Sequence, residues 1–497
     1  MWSCILSDKK FKMLQSKLIS LFRNFTKEEL KRFEAFLLSP YFNQSEKMVK
    51  FFRLIEPHQP MFDSKKLEKE KLYKALYAES EYNDLTMRKL ISDLFKLTKT
   101  FIAQEGFSKD NLQASVYRHR WLAEHNIEKM LDTELETRRI LMDEYAVHDD
   151  DYYHHRWLYN LHKFKVGSDR LRGAEHKLFK DFDFWAPVHS HNRNYLINCF
   201  WLYLYLLTLE QIYNFSMDES LLSQVETLAP RYINQGDIVI DIFFNIFQLL
   251  RTDDQKYYFE LKERFLRKDI SVPDTLKREA CVAMENYCIR KIREGEEQYT
   301  PEVMQIYRLE VENELYMENG KLDIVYYYNI ALRGAESGEL DWAEQFVESH
   351  KIYLPEDSRE GSYTYAKAYI LFARQKYTEA LRMALSCNIP FFIGRITIRT
   401  LIVRIQYELG MMGEIQVELD SWKHQLKDEK ISEERRQFFQ NFFTTMRRLC
   451  DLKSNYSHEK YMEFSDHILL NKAIPSRKWF RDKIRELELI HGNARSA

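Results

Sequence analysis

Hydrophobic positions recur along most of this chain at a spacing near 3.6 residues, the signature of helices that bury one face. Leu14, Leu18, Leu21, Phe22 and Phe25 open the pattern. Thr26 predicts an N-cap with Glu29 completing a capping box, and Pro40 ends the helix TKEELKRFEAFLLSP. A third helix stops at Pro57 and Pro60, and a fourth lies in KKLEKEKLYKALYAES. A polar turn over residues 81–84 then leads into LTMRKLISDLFKLTKTFIAQ. Further helices are expected near 112–124, 126–146, 150–165, 190–214, 219–229, 237–251 and 254–268, with an irregular break over 167–191. Pro273 and Asp274 open another, to about Arg293, and 301–317 follows. Helices over 432–452, 457–471 and 475–490 close the pattern as a capping segment with a polar outer face.

Between residues 326 and 426 the helices repeat. YTYAKAYILFARQKYTEALRMALSC, residues 363–387, reads as two short helices around a tight turn at 374–376. Ala368, Ala380 and Ala384 are the small residues where the two must touch. Upstream, Ala331, Gly338, Leu340, Ala343 and Val347 keep the same order; downstream, Val403, Gly410, Ile415 and Leu419 do so. Ala343, Ala380 and Ile415 step by 37 and 35 residues, with the surplus expected in connections at 356–361 and 388–394. This arrangement resembles the tetratricopeptide repeat (TPR), a 34-residue helical pair. It departs from that pattern in having no glycine at 374–376 and Ile415 where alanine is usual. The N-terminal layout is similar to the opening module of an uncharacterised bacterial helical-repeat family.

The fold class expected is therefore all-α: a TPR-like α-solenoid of antiparallel helix pairs with a separate N-terminal helical module. The division expected is 1–106 for that module, 107–272 for a helical array, 273–430 for the TPR-like repeats and 431–497 for the capping helices. The TPR resemblance implies that the first helix of each pair lines the concave, ligand-binding side. That side would carry Tyr328, Asn329, Leu332 and Glu336, then Tyr365, Tyr369 and Phe372, then Thr400, Arg404 and Tyr407. Tyrosine and arginine anchor interfaces because each brings area with a polar handle, although part of such a set is expected to pack between repeats. Among the matched positions only Arg404 is cationic, so a helical or apolar segment is the expected ligand.

Composition narrows the chemistry. Only 13 glycines and ten prolines in 497 residues leave little for phosphate loops or hairpin turns. No GxSxG, GxxxxGK[ST] or GxGxxG occurs, and Asn319–Lys321 reads as a helix-ending turn. Six cysteines form no CxxC pair, and Cys281 and Cys288 lie two turns apart on one helix face. With no secretory signal at the start, a reducing cytoplasm is the expected compartment. The most apolar run, residues 195–209, is too short to span a bilayer. Seven histidines fall between 148 and 191, and Asp151, His155 and His162 share a helix face, but without an HExxH or paired ExxH pattern they read as a solvated helix start. No metal, no cofactor and no enzyme activity is expected.

A second function class comes from charge. Residues 1–105 carry 20 Lys and Arg against 14 Asp and Glu, a net of +6 in a chain of net −2. Residues 66–103 have helix-turn-helix proportions, with Arg88, Ser92, Lys96 and Lys99 on one stripe that would suit a major groove. No glycine-turned wing follows, and Asp93 sits beside the stripe. The leading expectation is a non-enzymatic protein-binding scaffold or adaptor. A nucleic-acid-binding regulator with the repeats as sensor arm is the alternative.

Overall fold

The computed structural model describes residues 16–145, 148–170, 183–212, 216–266, 271–318, 320–389, 392–428, 431, 433–471 and 473–493. Among these the chain is all-α, with 23 helices and one two-residue hairpin. It divides into two compact units, one ending at Glu144 and the other beginning at Tyr145.

The first unit holds α1 (Lys17–Arg23), α2 (Lys27–Leu38), α3 (Glu46–Ile55), α4 (Lys69–Leu76), α5 (Asp84–Lys109), α6 (Asn111–Glu124) and α7 (Glu128–Asp143). The capping box at α2 forms: the Glu29 amide donates to Thr26 Oγ1 at 3.1 Å and the Thr26 amide to Glu29 Oε2 at 2.8 Å. Those bonds hold the Glu29 carboxyl below its usual range. The core is rich in phenylalanine; Phe33 meets Phe52 edge-on at 5.0 Å and Phe101 at 5.2 Å. The unit runs well past the boundary expected at 106. Asp110 ends α5 and at once caps α6, accepting from the Gln113 amide at 2.8 Å. Helices α6 and α7 then pack as a pair, with fully buried Arg138 donating to the Ser115 hydroxyl and carbonyl at 3.1 and 2.9 Å.

The second unit begins with α8 (Asp150–Arg170), α9 (Ala186–Ile212), α10 (Glu219–Ile233), α11 (Ile238–Thr252), α12 (Gln255–Leu266), α13 (Asp274–Glu294) and α14 (Tyr299–Glu312). It continues with β1 (Met317–Glu318), β2 (Lys321–Leu322), α15 (Ile324–Glu336), α16 (Leu340–His350), α17 (Arg359–Ala373), α18 (Tyr377–Ser386), α19 (Phe392–Glu408) and α20 (Met412–Asp428). Helices α21 (Glu433–Ser454), α22 (His458–Leu470) and α23 (Arg477–Asn493) complete it. Neighbours in sequence pack on one another, and α15 also packs on α17. Helix α8 runs through Gly167, where a break was expected to begin; residues 171–182 of that stretch, with His176, lie outside the described residues. The turn expected to end a helix at 319–321 instead joins β1 to β2 in an antiparallel hairpin, with Gly320 at φ +72°; Asn319 is outside the described residues.

Candidate functional site: a chamber in the C-terminal array

Three turns set the register of the array. Gly338, Gln375 and Gly410 take left-handed φ values of +84°, +61° and +75°. At each, the amide reaches the carbonyl three residues back and the next amide reaches five back. The pairs are Gly338 to Ala335 with Glu339 to Gly334, Gln375 to Phe372 with Lys376 to Leu371, and Gly410 to Tyr407 with Met411 to Gln406. This is the left-handed helix ending that satisfies orphan carbonyls. The turns stand 37 and 35 residues apart, the same steps that separate Ala343, Ala380 and Ile415. Gln375 takes a shape that glycine adopts without strain, at a cost of roughly 1 kcal/mol.

Small residues bring the helices together where the sequence places them. Ala331, Ala343, Ala368 and Ala380 are fully buried. A Cβ on Gly334 would stand 2.8 Å from that of Ala343, so α15 and α16 touch through glycine. Gly361, expected in a connection, lies in the first turn of α17, where a Cβ would come within 2.4 Å of the Asn388 carbonyl oxygen.

Beside these helices lies a chamber of about 600 Å³, lined from α13, α14, α15, α17, α18, α19, α21 and α23. Of the residues proposed from sequence, Tyr369, Phe372 and Arg404 meet in its wall, with Leu332, Glu336 and Thr400. Tyr328 and Tyr365 do not reach it. They are buried on each other with ring centroids 4.4 Å apart, and the Tyr328 hydroxyl lies 3.1 Å from that of Ser362. Asn329 is half-buried outside it, and Tyr407 is buried behind it, edge-on to Trp479 with Lys453 over its ring.

The lid of the chamber is what sequence reasoning missed. Helix α23, expected as a polar cap, turns its RKWFRDK stretch inward. Trp479 donates its indole N–H to Glu408 at 2.8 Å, Lys483 pairs with the same carboxylate at 2.9 Å, and Arg481 pairs with Glu297. The signal was available: a tryptophan among cations on a helix expected to be polar outside.

Seven cations and five carboxylates line the chamber. Arg333 is held by Glu336, Arg481 by Glu297, and Lys483 by Glu408 and Glu486. Arg404 differs. It is only 5% exposed, its guanidinium lies over Phe372 and Tyr369 at 5.0 and 5.7 Å, and its Nε is buried with no acceptor. No carboxylate among the described residues pairs with it. Stacking on aromatic faces is worth about 0.5–2 kcal/mol, whereas burying an unpaired charge costs several kcal/mol. The rings supply no counter-charge to the guanidinium. Burial raises the Tyr369 phenol while the Arg404 charge pulls it down.

A second group of buried charge sits behind the wall. Glu285 of α13 and Glu310 of α14 are buried together, beside the hydroxyls of Tyr307 and Tyr326. Burial pushes both carboxyls up, and the Glu310 charge adds to the rise of Glu285. Glu285 shares the apolar face of Cys281 and Cys288. That placement, a carboxylate within a buried stripe, was visible in the sequence.

The other candidates are dispersed. His148 stacks on Tyr152 at 3.9 Å, His191 lies 5.1 Å from Trp157, and His189 meets the Tyr232 hydroxyl at 3.2 Å. In a smaller cavity of about 370 Å³ there, Arg193 and Tyr153 both donate to Asp237. Among the described residues no three His, Cys, Asp or Glu side chains gather as a metal site, and no helix is long and apolar enough to cross a membrane. On α5, Arg88 pairs with Asp84 at 2.7 Å and Lys96 with Asp93 at 3.0 Å, while Lys99 lies over Phe95 and Ser92 is exposed. Compared with known proteins, the chain matches no family model, no curated protein and no solved structure.

Proposed function

We propose that this protein is a non-catalytic scaffold or adaptor: a TPR-like α-solenoid of antiparallel helix pairs, working in the cytoplasm, that takes a protein or peptide segment on the concave side of its C-terminal repeats. The observation that carries this reading is the convergence of Tyr369, Phe372 and Arg404, from two helices of successive repeats, on one chamber. Aromatic and arginine side chains at the bottom of a concavity are the composition of binding hot spots. Helix α23 already covers one rim, so the fitting ligand is a short apolar or helical end rather than a long helix laid through the groove.

The test replaces Phe372 with a benzophenone amino acid and, separately, exposed Lys96. Photolysis in cells followed by mass spectrometry is expected to join the Phe372 position to a discrete partner segment, the same one in independent preparations. Cross-links that arise equally from both positions, or none from Phe372, overturn the reading.

A further inference from the structure

The chamber's charge defines its ligand more closely than its shape does. Four of its five carboxylates are committed: Glu297, Glu336, Glu408 and Glu486 each hold one of the protein's own cations, and Asp482 has no such partner among the described residues. Its cations are not all committed. Arg477 spends its guanidinium on the main-chain carbonyls of Ile468 and Leu469, at 2.9 and 3.1 Å, and has no carboxylate among the described residues. Lys478 is exposed at the same lip. Arg404 is nineteen-twentieths buried, with Nε unpartnered and its guanidinium over the rings of Phe372 and Tyr369.

We infer that the chamber is a binding site for an organic anion, a carboxylate or phosphate monoester joined to a flat apolar group, with the anion on the Arg404 guanidinium and the apolar part beside Phe372 and Tyr369. A planar guanidinium matches either anion with two parallel N–H donors. About 600 Å³ lies within the range of small-ligand pockets, and Trp479 and Lys483, both held by Glu408, form part of its wall. Arg477 and Lys478 at the lip draw an anion inward. The inference rests on the same reading of the chamber as a ligand-taking surface, and narrows what the bound end must carry.

Isothermal titration of the full chain with hippurate, phenyl phosphate, inorganic phosphate and neutral benzamide tests it. Hippurate or phenyl phosphate is expected to bind at least tenfold more tightly than benzamide, and the stronger of the two tells carboxylate from phosphate. Arg404→Gln is expected to cut that affinity tenfold or more, Arg404→Lys to restore part of it, and Arg88→Gln to change nothing. Should Arg404→Gln fail to fold, the wild-type protein answers the question: hippurate or phenyl phosphate should shield Arg404 from phenylglyoxal, read by peptide mapping. Equal binding of anionic and neutral probes, or Arg404 modification unaffected by either anion, overturns the inference. A Phe372 cross-link to a partner without anion binding would retain the adaptor reading and discard this one; anion binding without a cross-link would do the reverse.

Discussion

The stripe on α5 and the wall of the C-terminal chamber both offer arginine and lysine on a helix face, yet the two regions treat that charge in opposite ways. On α5 the cations stand in water, and Arg88 and Lys96 have a carboxylate one turn away on the same helix. Such pairs are worth a few tenths of a kcal/mol and leave little field for a ligand. In the chamber, Arg404 is stacked, buried and unpaired. A cationic residue becomes a site when burial removes water without supplying a counter-charge. Its number of neighbouring cations matters less.

The largest effect expected concerns the packing that builds the chamber. Gly361→Val drives a side chain into the Asn388 carbonyl oxygen and should destabilise the array by about 3 kcal/mol. Hydrogen exchange should then rise across α17 and α18 while α2 and α5 keep their protection. Uniform protection throughout would mean that this close approach does not support the wall.

Acidic burial gives the next test. The Glu310 carboxyl is held above its ordinary range by burial, which outweighs the lowering effect of its hydrogen bond with Glu285. The unfolded chain therefore gives up its proton first as pH rises. Stability is fully present below about pH 4 and is lost as pH climbs through the raised folded value. Glu310→Gln should remove part of that loss. The variant should then be more stable than wild type near neutral pH by about 1–3 kcal/mol, since each tenfold change in proton affinity is worth ~1.4 kcal/mol. Urea unfolding at pH 5 and pH 8 measures it. A wild-type stability that increases over this range would contradict the assignment.

The smallest effect sharpens the other side. Arg88→Ala with Lys96→Ala should cost no more than about 0.5 kcal/mol in thermal unfolding. A larger loss would show that the α5 stripe is a structural network, and the contrast with Arg404 would fail.

Much of this was legible in the residues. The capping box at Thr26 and Glu29, the alanines where helices meet, and the 37- and 35-residue steps all correspond to features of the fold. Tyr369, Phe372 and Arg404 were named together from the repeat register and do meet. Tyr328 and Tyr365 came from the same spacing but face each other, because a tyrosine on a helix face packs equally well on a neighbouring helix as on a ligand. The place where the first unit ends was not legible either: Asp110 both stops α5 and caps α6, so the break in periodicity there is a corner inside a unit.

The sequence by itself determined the helices, their caps, their small-residue contacts and the spacing of the turns, because these depend on local propensity and on a period that repeats within a few residues. Only the tertiary structure decided which charges lost their water. Arg404 finds its aromatic bed on α17, more than thirty residues earlier, and its lid on α23, more than seventy later. Glu285 finds Glu310 across two helices. Burial is a property of all the neighbours at once, and no periodicity within one helix reports it.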